Sequence, residues 1–124
     1  MLNLSSIMLG SSQPKVLAEF YEKVLGKKPD WQDGDWSGFQ VGNTHITIGG
    51  HSEVKGKSKE PQRIILNFDT KEVKEEFERI KAIEGVEVVK DPYNPDEAKD
   101  MWIATFADPD GNYFQLMTPW DGEK

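Results

Sequence analysis

Cysteine is absent from the chain. Disulfides, thiol nucleophiles and cysteine-ligated metals are therefore excluded. Basic residues are in deficit, with 15 Lys and Arg against 22 Asp and Glu and a net charge of −7. The imbalance lies in the second half: residues 1–61 hold seven basic and seven acidic side chains, residues 62–124 eight and fifteen. A phosphate backbone needs a basic face, so nucleic acid is not an expected partner. The acidic surplus reads as solvated surface, with a cationic ligand as the alternative. Long apolar runs are missing as well. None approaches the roughly 20 residues that cross a membrane. The opening MLNLSSIML lacks a basic leader and continues into a strand pattern, so no signal peptide, no membrane partner and a cytoplasmic location are expected. Gly-x-Ser-x-Gly elbows, phosphate-cradling glycine loops and paired-histidine helices are also absent.

What is present falls into two similar halves. Leu4–Leu9 alternates as a strand, with Ile7 and Leu9 on one face and Ser6 and Met8 on the other. Pro14 opens a helix, where its missing N–H is harmless. Val16, Leu17, Phe20, Tyr21, Val24 and Leu25 share its apolar face, and Gly26 is placed to end it. Strands follow near Gly38–Val41 and Thr44–Ile48, joined by a Gly42-Asn43 turn. The second half repeats the order. Arg63–Phe68 reads as a strand with Ile64, Leu66 and Phe68 on one face. Asp69 and Glu72 resemble a capping box, and Val73, Phe77 and Ile80 mark a buried helical face ended by Gly85. Further strands are expected near Val86–Lys90, Met101–Phe106 and Tyr113–Met117, the last entered through the turn Asp108-Pro109-Asp110-Gly111. Ser6 to Arg63 and Phe20 to Phe77 are both 57 residues apart, which suggests an internal βαβββ duplication. The modules are residues 1–52 and 62–120, with a polar linker over 53–61. Pro92–Asp100 reads as a long loop, either a lid or an ordinary connection.

The segments LSSIMLGSSQPKVLAEFYEKVLG and FADPDGNYFQLMTPW together resemble the vicinal oxygen chelate superfamily of glyoxalase I, bleomycin-resistance proteins and extradiol dioxygenases. The resemblance covers nearly the whole chain. It implies an α+β fold in which two βαβββ modules curl their mixed sheets into a cup, with the helices outside. Strand parity then sends Ile7, Leu9, Ile46, Ile48, Ile64, Leu66, Phe114 and Leu116 under the helices. Ser6, Met8, His45, Thr47, Arg63, Ile65, Asn67, Tyr113, Gln115 and Met117 face the cup. The resemblance also implies a homodimer.

Metal-dependent members carry His, Glu or Gln ligands on four strands. Those positions fall on Ser6, Thr47, Arg63 and Gln115. Only the glutamine is a residue type that serves there, and a guanidinium puts positive charge where the cation belongs. No metal and no other cofactor is therefore expected, a divalent metal held by unmatched residues being the alternative. Candidate ligand-binding residues are Ser6, His45, Thr47, Arg63, Trp102, Tyr113 and Gln115. Trp36 is placed comparably to Trp102, and either could stack on a planar ligand. His51, at the start of the linker, reads as structural, as His45 also can. Arg63 either grips an anionic or strongly polar oxygen head or pairs internally with a carboxylate. Three readings stay open. The first is a metal-independent protein binding a small organic molecule in a cup at a dimer interface. The second is a metal-dependent lyase, isomerase or dioxygenase, and the third a scaffold homodimer. No catalytic residue is assigned.

Overall fold

A computed structural model describes residues 1–95 and 99–119. Residues 96–98 of the long loop and Trp120 lie outside the described residues. The chain divides into two compact units, Met1–Gly56 and Lys57–Lys124, with the boundary inside the expected linker.

The first unit runs β1 (Ser6–Ser11), α1 (Pro14–Leu25), β2 (Trp31–Asp33), β3 (Trp36–Val41) and β4 (Thr44–Gly50). Its sheet has the order β1-β4-β3-β2, with β1 parallel to β4 and the other pairs antiparallel. Pro14 stands in the first turn of α1, and the Ser11 hydroxyl accepts from the Gln13 N–H at 2.9 Å just before it. Gly26 closes α1 at φ 70°, donating its N–H to the Glu22 carbonyl at 2.9 Å. A side chain at that angle would be strained. Leu17, Phe20, Tyr21 and Val24 are buried with Phe39, Ile46 and Ile48. Each such side chain is worth roughly 1.5–3 kcal/mol against exposure. Val16, assigned to that face from the sequence, is instead 48% exposed, because it lies at the edge of the helical stripe.

The second unit runs from a 3₁₀ turn (Pro61–Arg63) into β5 (Leu66–Asp69), α2 (Val73–Lys81), β6 (Glu87–Tyr93), β7 (Ile103–Ala107) and β8 (Tyr113–Met117). The sheet order is β5-β8-β7-β6, again with one parallel pair, β5 with β8. Its core is aromatic. Phe106 stacks on Phe77 at 5.3 Å and on Phe114 at 5.2 Å, and Phe68 meets Phe114 edge-on at 6.0 Å. Asp108 builds the turn into β8. Its Oδ1 accepts from the N–H groups of Asp110 and Asn112 at 2.9 and 3.0 Å, while Gly111 takes φ 80°. The βαβββ order thus occurs twice, as the sequence implies.

Several details differ from the sequence reading. The strand expected over Arg63–Phe68 begins at Leu66, because the turn opened by Pro61 takes in Arg63, whose N–H donates to the Glu60 carbonyl at 3.0 Å. Ile64 is consequently 73% exposed, and the two first strands begin sixty residues apart, at Ser6 and Leu66. No capping box forms. The Thr70 hydroxyl accepts from the Glu72 N–H at 3.1 Å and leaves Asp69 in β5. The cap of α2 is Ala82, ahead of Gly85. Pro92 belongs to β6, an edge strand whose pairing is interrupted between Val88 and Lys90 and again before Tyr93. An edge position or a bulge is where a ladder tolerates proline.

Candidate functional site

Five of the candidate residues, Ser6, His45, Thr47, Tyr113 and Gln115, lie on the face of a sheet turned away from its helix. In the first unit the residues paired across the strands form successive rows on that face. Ser6 of β1 sits opposite His45 of β4, which sits opposite Gln40 of β3. The next row is Met8, Thr47 and Gly38, with Trp31 of β2 opposite Gly38. The third pairs Gly10 with Gly49. Two of these glycines carry indoles. A β-carbon at Gly38 would fall under 3.0 Å from three atoms of the Trp31 ring, and one at Gly49 equally close to the Trp36 ring. Each ring therefore lies flat on bare backbone, a use of strand glycine that no other residue permits. Gly10 is covered more loosely by His51 and Val54, at 3.2 and 3.4 Å from its ideal β-carbon. Met8 and Trp31 remain 47% and 44% exposed.

A charged clamp ties the residues just before β2 to β3. Asp30 Oδ2 accepts from the Gln40 N–H at 2.6 Å and from Lys27 Nζ at 2.9 Å, and Lys27 also donates to the Gln40 carbonyl at 2.9 Å. The backbone bond to Gln40 and then Lys27 hold the Asp30 carboxyl below its ordinary value.

In the second unit one row is polar across all four strands: Asn67, Gln115, Thr105 and Lys90. Gln115 Nε2 donates to the Thr105 hydroxyl at 3.2 Å. Tyr113 of the same strand is half-buried opposite Ala107. Trp102 is elsewhere. It precedes β7, donates its N–H to Thr118 Oγ1 at 3.0 Å, and lies under Lys74 Nζ of α2, 3.7 Å from the ring centroid. Arg63 stands on its turn before the sheet, with its guanidinium 74% exposed and paired with Glu60. Ser6, His45 and Thr47 are thus brought together on one face, and Gln115 and Tyr113 share a strand on the other. Trp102 and Arg63 join neither group.

Sequence reasoning did not single out Trp31, Thr105 or Lys90, and it placed Asn67 on the cup face without making it a candidate. Trp31 lies in a three-residue strand that exists only through its pairing with β3. The available signal was Gly38 and Gly49 inside strand patterns, which marks a close approach.

A family model described as a glyoxalase-like domain matches residues 6–117. The chain belongs to this family. With it comes membership of the vicinal oxygen chelate superfamily. The fold is shared with a glyoxalase-related enzyme from Fulvimarina pelagi, at 18% identity and a TM-score of 0.77, over 96% of this chain and 89% of that one. It is shared too with a glyoxalase/bleomycin resistance protein/dioxygenase family enzyme from Burkholderia phytofirmans PsJN, at 23% identity and a TM-score of 0.75, over 94% and 98%. A glyoxalase/bleomycin resistance protein from Albidiferax ferrireducens T118 is similar at 18% identity and a TM-score of 0.73, over 93% and 98%. No match was found among curated proteins.

The superfamily's metal does not fit the residues at its usual positions. Ser6 and Thr47 supply neutral hydroxyls, Gln115 supplies an amide already bonded to Thr105, and Arg63 supplies a cation on a separate turn. Hydroxyls and an amide are weak donors to a divalent ion. Among the described residues no three His, Cys, Asp or Glu side chains come together.

Proposed function

We propose that this member of the glyoxalase-like family binds a small organic molecule against its open sheet faces, as a homodimer and without the superfamily's usual metal. One observation carries the reading. The face of the first sheet away from α1 places Ser6, His45 and Thr47 beside the exposed Met8 and Trp31, on a surface the unit's own core does not use. Polar groups among apolar ones on a preformed surface are what orient a ligand and cover its body. The homodimer is supported by large apolar side chains left in water, Leu4 and Ile64, both 73% exposed, together with Met8. Among the described residues no helix is long and apolar enough to cross a membrane. A cytoplasmic location is part of the proposal and is supported by the lack of cysteine.

The anionic head expected for the ligand rested on Arg63, and it loses that support with the guanidinium paired to Glu60 outside the sheet. Native mass spectrometry of protein purified without chelator tests the proposal. A dimer carrying a small organic species and no stoichiometric divalent ion is expected. A metal bound one-to-one, or a bare monomer at micromolar concentration, would overturn it.

A further inference from the structure

We infer that the first unit's open face is a platform for planar organic cations. The inference rests on the small-molecule reading above and specifies its ligand class. Three observations lead to it. Trp31 and Trp36 both lie flat, each pressed onto a strand glycine, so that each ring turns its second face away from the backbone. A flat, half-exposed indole offers a negative π-surface, the best side-chain partner for a cation. Asp33 stands with them. It is two residues from Trp31 on the same strand, hence on the same face, and it is the register partner of Trp36. Asp33 is exposed, and among the described residues it makes no ion pair. The neighbouring Asp30 differs, being occupied by Lys27 and Gln40.

The complementarity is therefore specific in sign and shape. Two ring faces accept a planar body and an unpaired carboxylate accepts its charge. Thr47 and His45, in the rows beside the indoles, add hydrogen-bonding partners that orient substituents. Lys27 is neutralised by Asp30 and does not oppose the ligand. An anionic ligand would be repelled by Asp33.

The test is a titration of the full chain, followed by the indole N–H signals in ¹H–¹⁵N NMR spectra, with three probes. These are 1-methylquinolinium (planar, cationic), 1,1-dimethylpiperidinium (cationic, saturated) and naphthalene (planar, neutral). The expected result is that 1-methylquinolinium binds most tightly and shifts the signals of Trp31 and Trp36 but not that of Trp102. Asp33→Asn lies on the surface and leaves the core untouched. It should weaken the quinolinium roughly 1.5- to 5-fold, the span of an exposed charge pair, and leave naphthalene unchanged. Trp36→Leu should weaken both planar probes. Equal affinity for all three probes, no binding of the quinolinium, or shifts at Trp102 alone would overturn the inference. A ligand seen by native mass spectrometry alongside quinolinium failure would sink the cation platform and leave the small-molecule reading standing. A divalent metal bound one-to-one in native mass spectrometry, together with tight quinolinium binding, would overturn the metal-free reading and leave the cation platform standing.

Discussion

Replacing Gly49 by alanine tests the flat-indole geometry directly. Gly49 is buried in β4, a central strand, and the added methyl would enter the Trp36 ring. Two responses are open to the protein. If the ring stays, the site is overpacked, at a cost of about 1–3 kcal/mol. If the ring swings out, it gives up one face. Half of the ~200 Å² an indole buries is ~100 Å², worth about 2.5 kcal/mol at ~25 cal/mol per Å². Against either stands a gain of roughly 0.5–1 kcal/mol, because alanine suits a strand interior better than glycine. The net expectation is a loss of about 1–2 kcal/mol. With a urea slope of about 1.5 kcal/mol per molar for a chain of this size, the unfolding midpoint should fall by roughly 1 M. The same substitution in a Trp36→Leu background should become neutral or mildly stabilising, since the obstructing ring is gone. An unchanged midpoint in the parent would refute the reasoning. So would an equal loss in both backgrounds, which would place the cost in the backbone.

Three further outcomes follow from the same geometry. Phe106→Ala empties the middle of the Phe77–Phe106–Phe114 stack and should cost about 3–5 kcal/mol in denaturant unfolding; a loss below 1 kcal/mol would contradict the packing. Arg63→Ala removes only an exposed pair three residues apart and should change stability by less than about 0.5 kcal/mol; a larger loss in the same assay would mean that the guanidinium has a partner beyond Glu60. Asp30 titrates in the folded state below its ordinary value of 3.8, so its stabilising effect is complete above that pH and disappears as the pH falls through the lowered value. Asp30→Asn should therefore flatten the acid limb of stability below about pH 4, and an unaltered limb in pH-dependent urea titrations would argue against the Lys27–Asp30–Gln40 clamp.

Where sequence pattern and structure agree, local chemistry dictated the outcome. Pro14 and Gly26 bracket α1 because one tolerates a lost donor and the other a left-handed corner. Ile46, Ile48, Phe114 and Leu116 alternate so strictly that only one face of each strand could be buried. The disagreements are non-local. Counting parity backwards from Leu66 places Arg63 on the sheet, but the Pro61 turn interrupts the strand before the count reaches it. The segment Trp31-Gln32-Asp33-Gly34-Asp35 has the composition of a turn, and its first three residues become β2 only by pairing with Trp36–Gly38. The indole-on-glycine contacts depend on the register between strands, which the sequence of a single strand does not contain. The candidate site was therefore legible as residue types on faces, such as Ser6, His45, Thr47 and Gln115, and illegible where partners come from neighbouring strands.

The parallel ladders impose an order of assembly. The hairpin of β3 and β4 closes across a two-residue turn, whereas β1 meets β4 only after residues 12–43, 32 in all, have been laid down. In the second unit β5 waits for β8 across residues 70–112, 43 in all. Each doubling of a closed loop adds about 0.6 kcal/mol of entropy cost, so these closures stand some 2–3 kcal/mol above the hairpins. Within the first unit β1 is made before β2, β3 and β4 and pairs only once β4 has followed. During synthesis its edge, with Leu2 and Leu4 beside it, faces solvent until β4 is out. In the finished molecule the amides of β1 and β5 should exchange with deuterium ahead of those in β3, β4, β7 and β8.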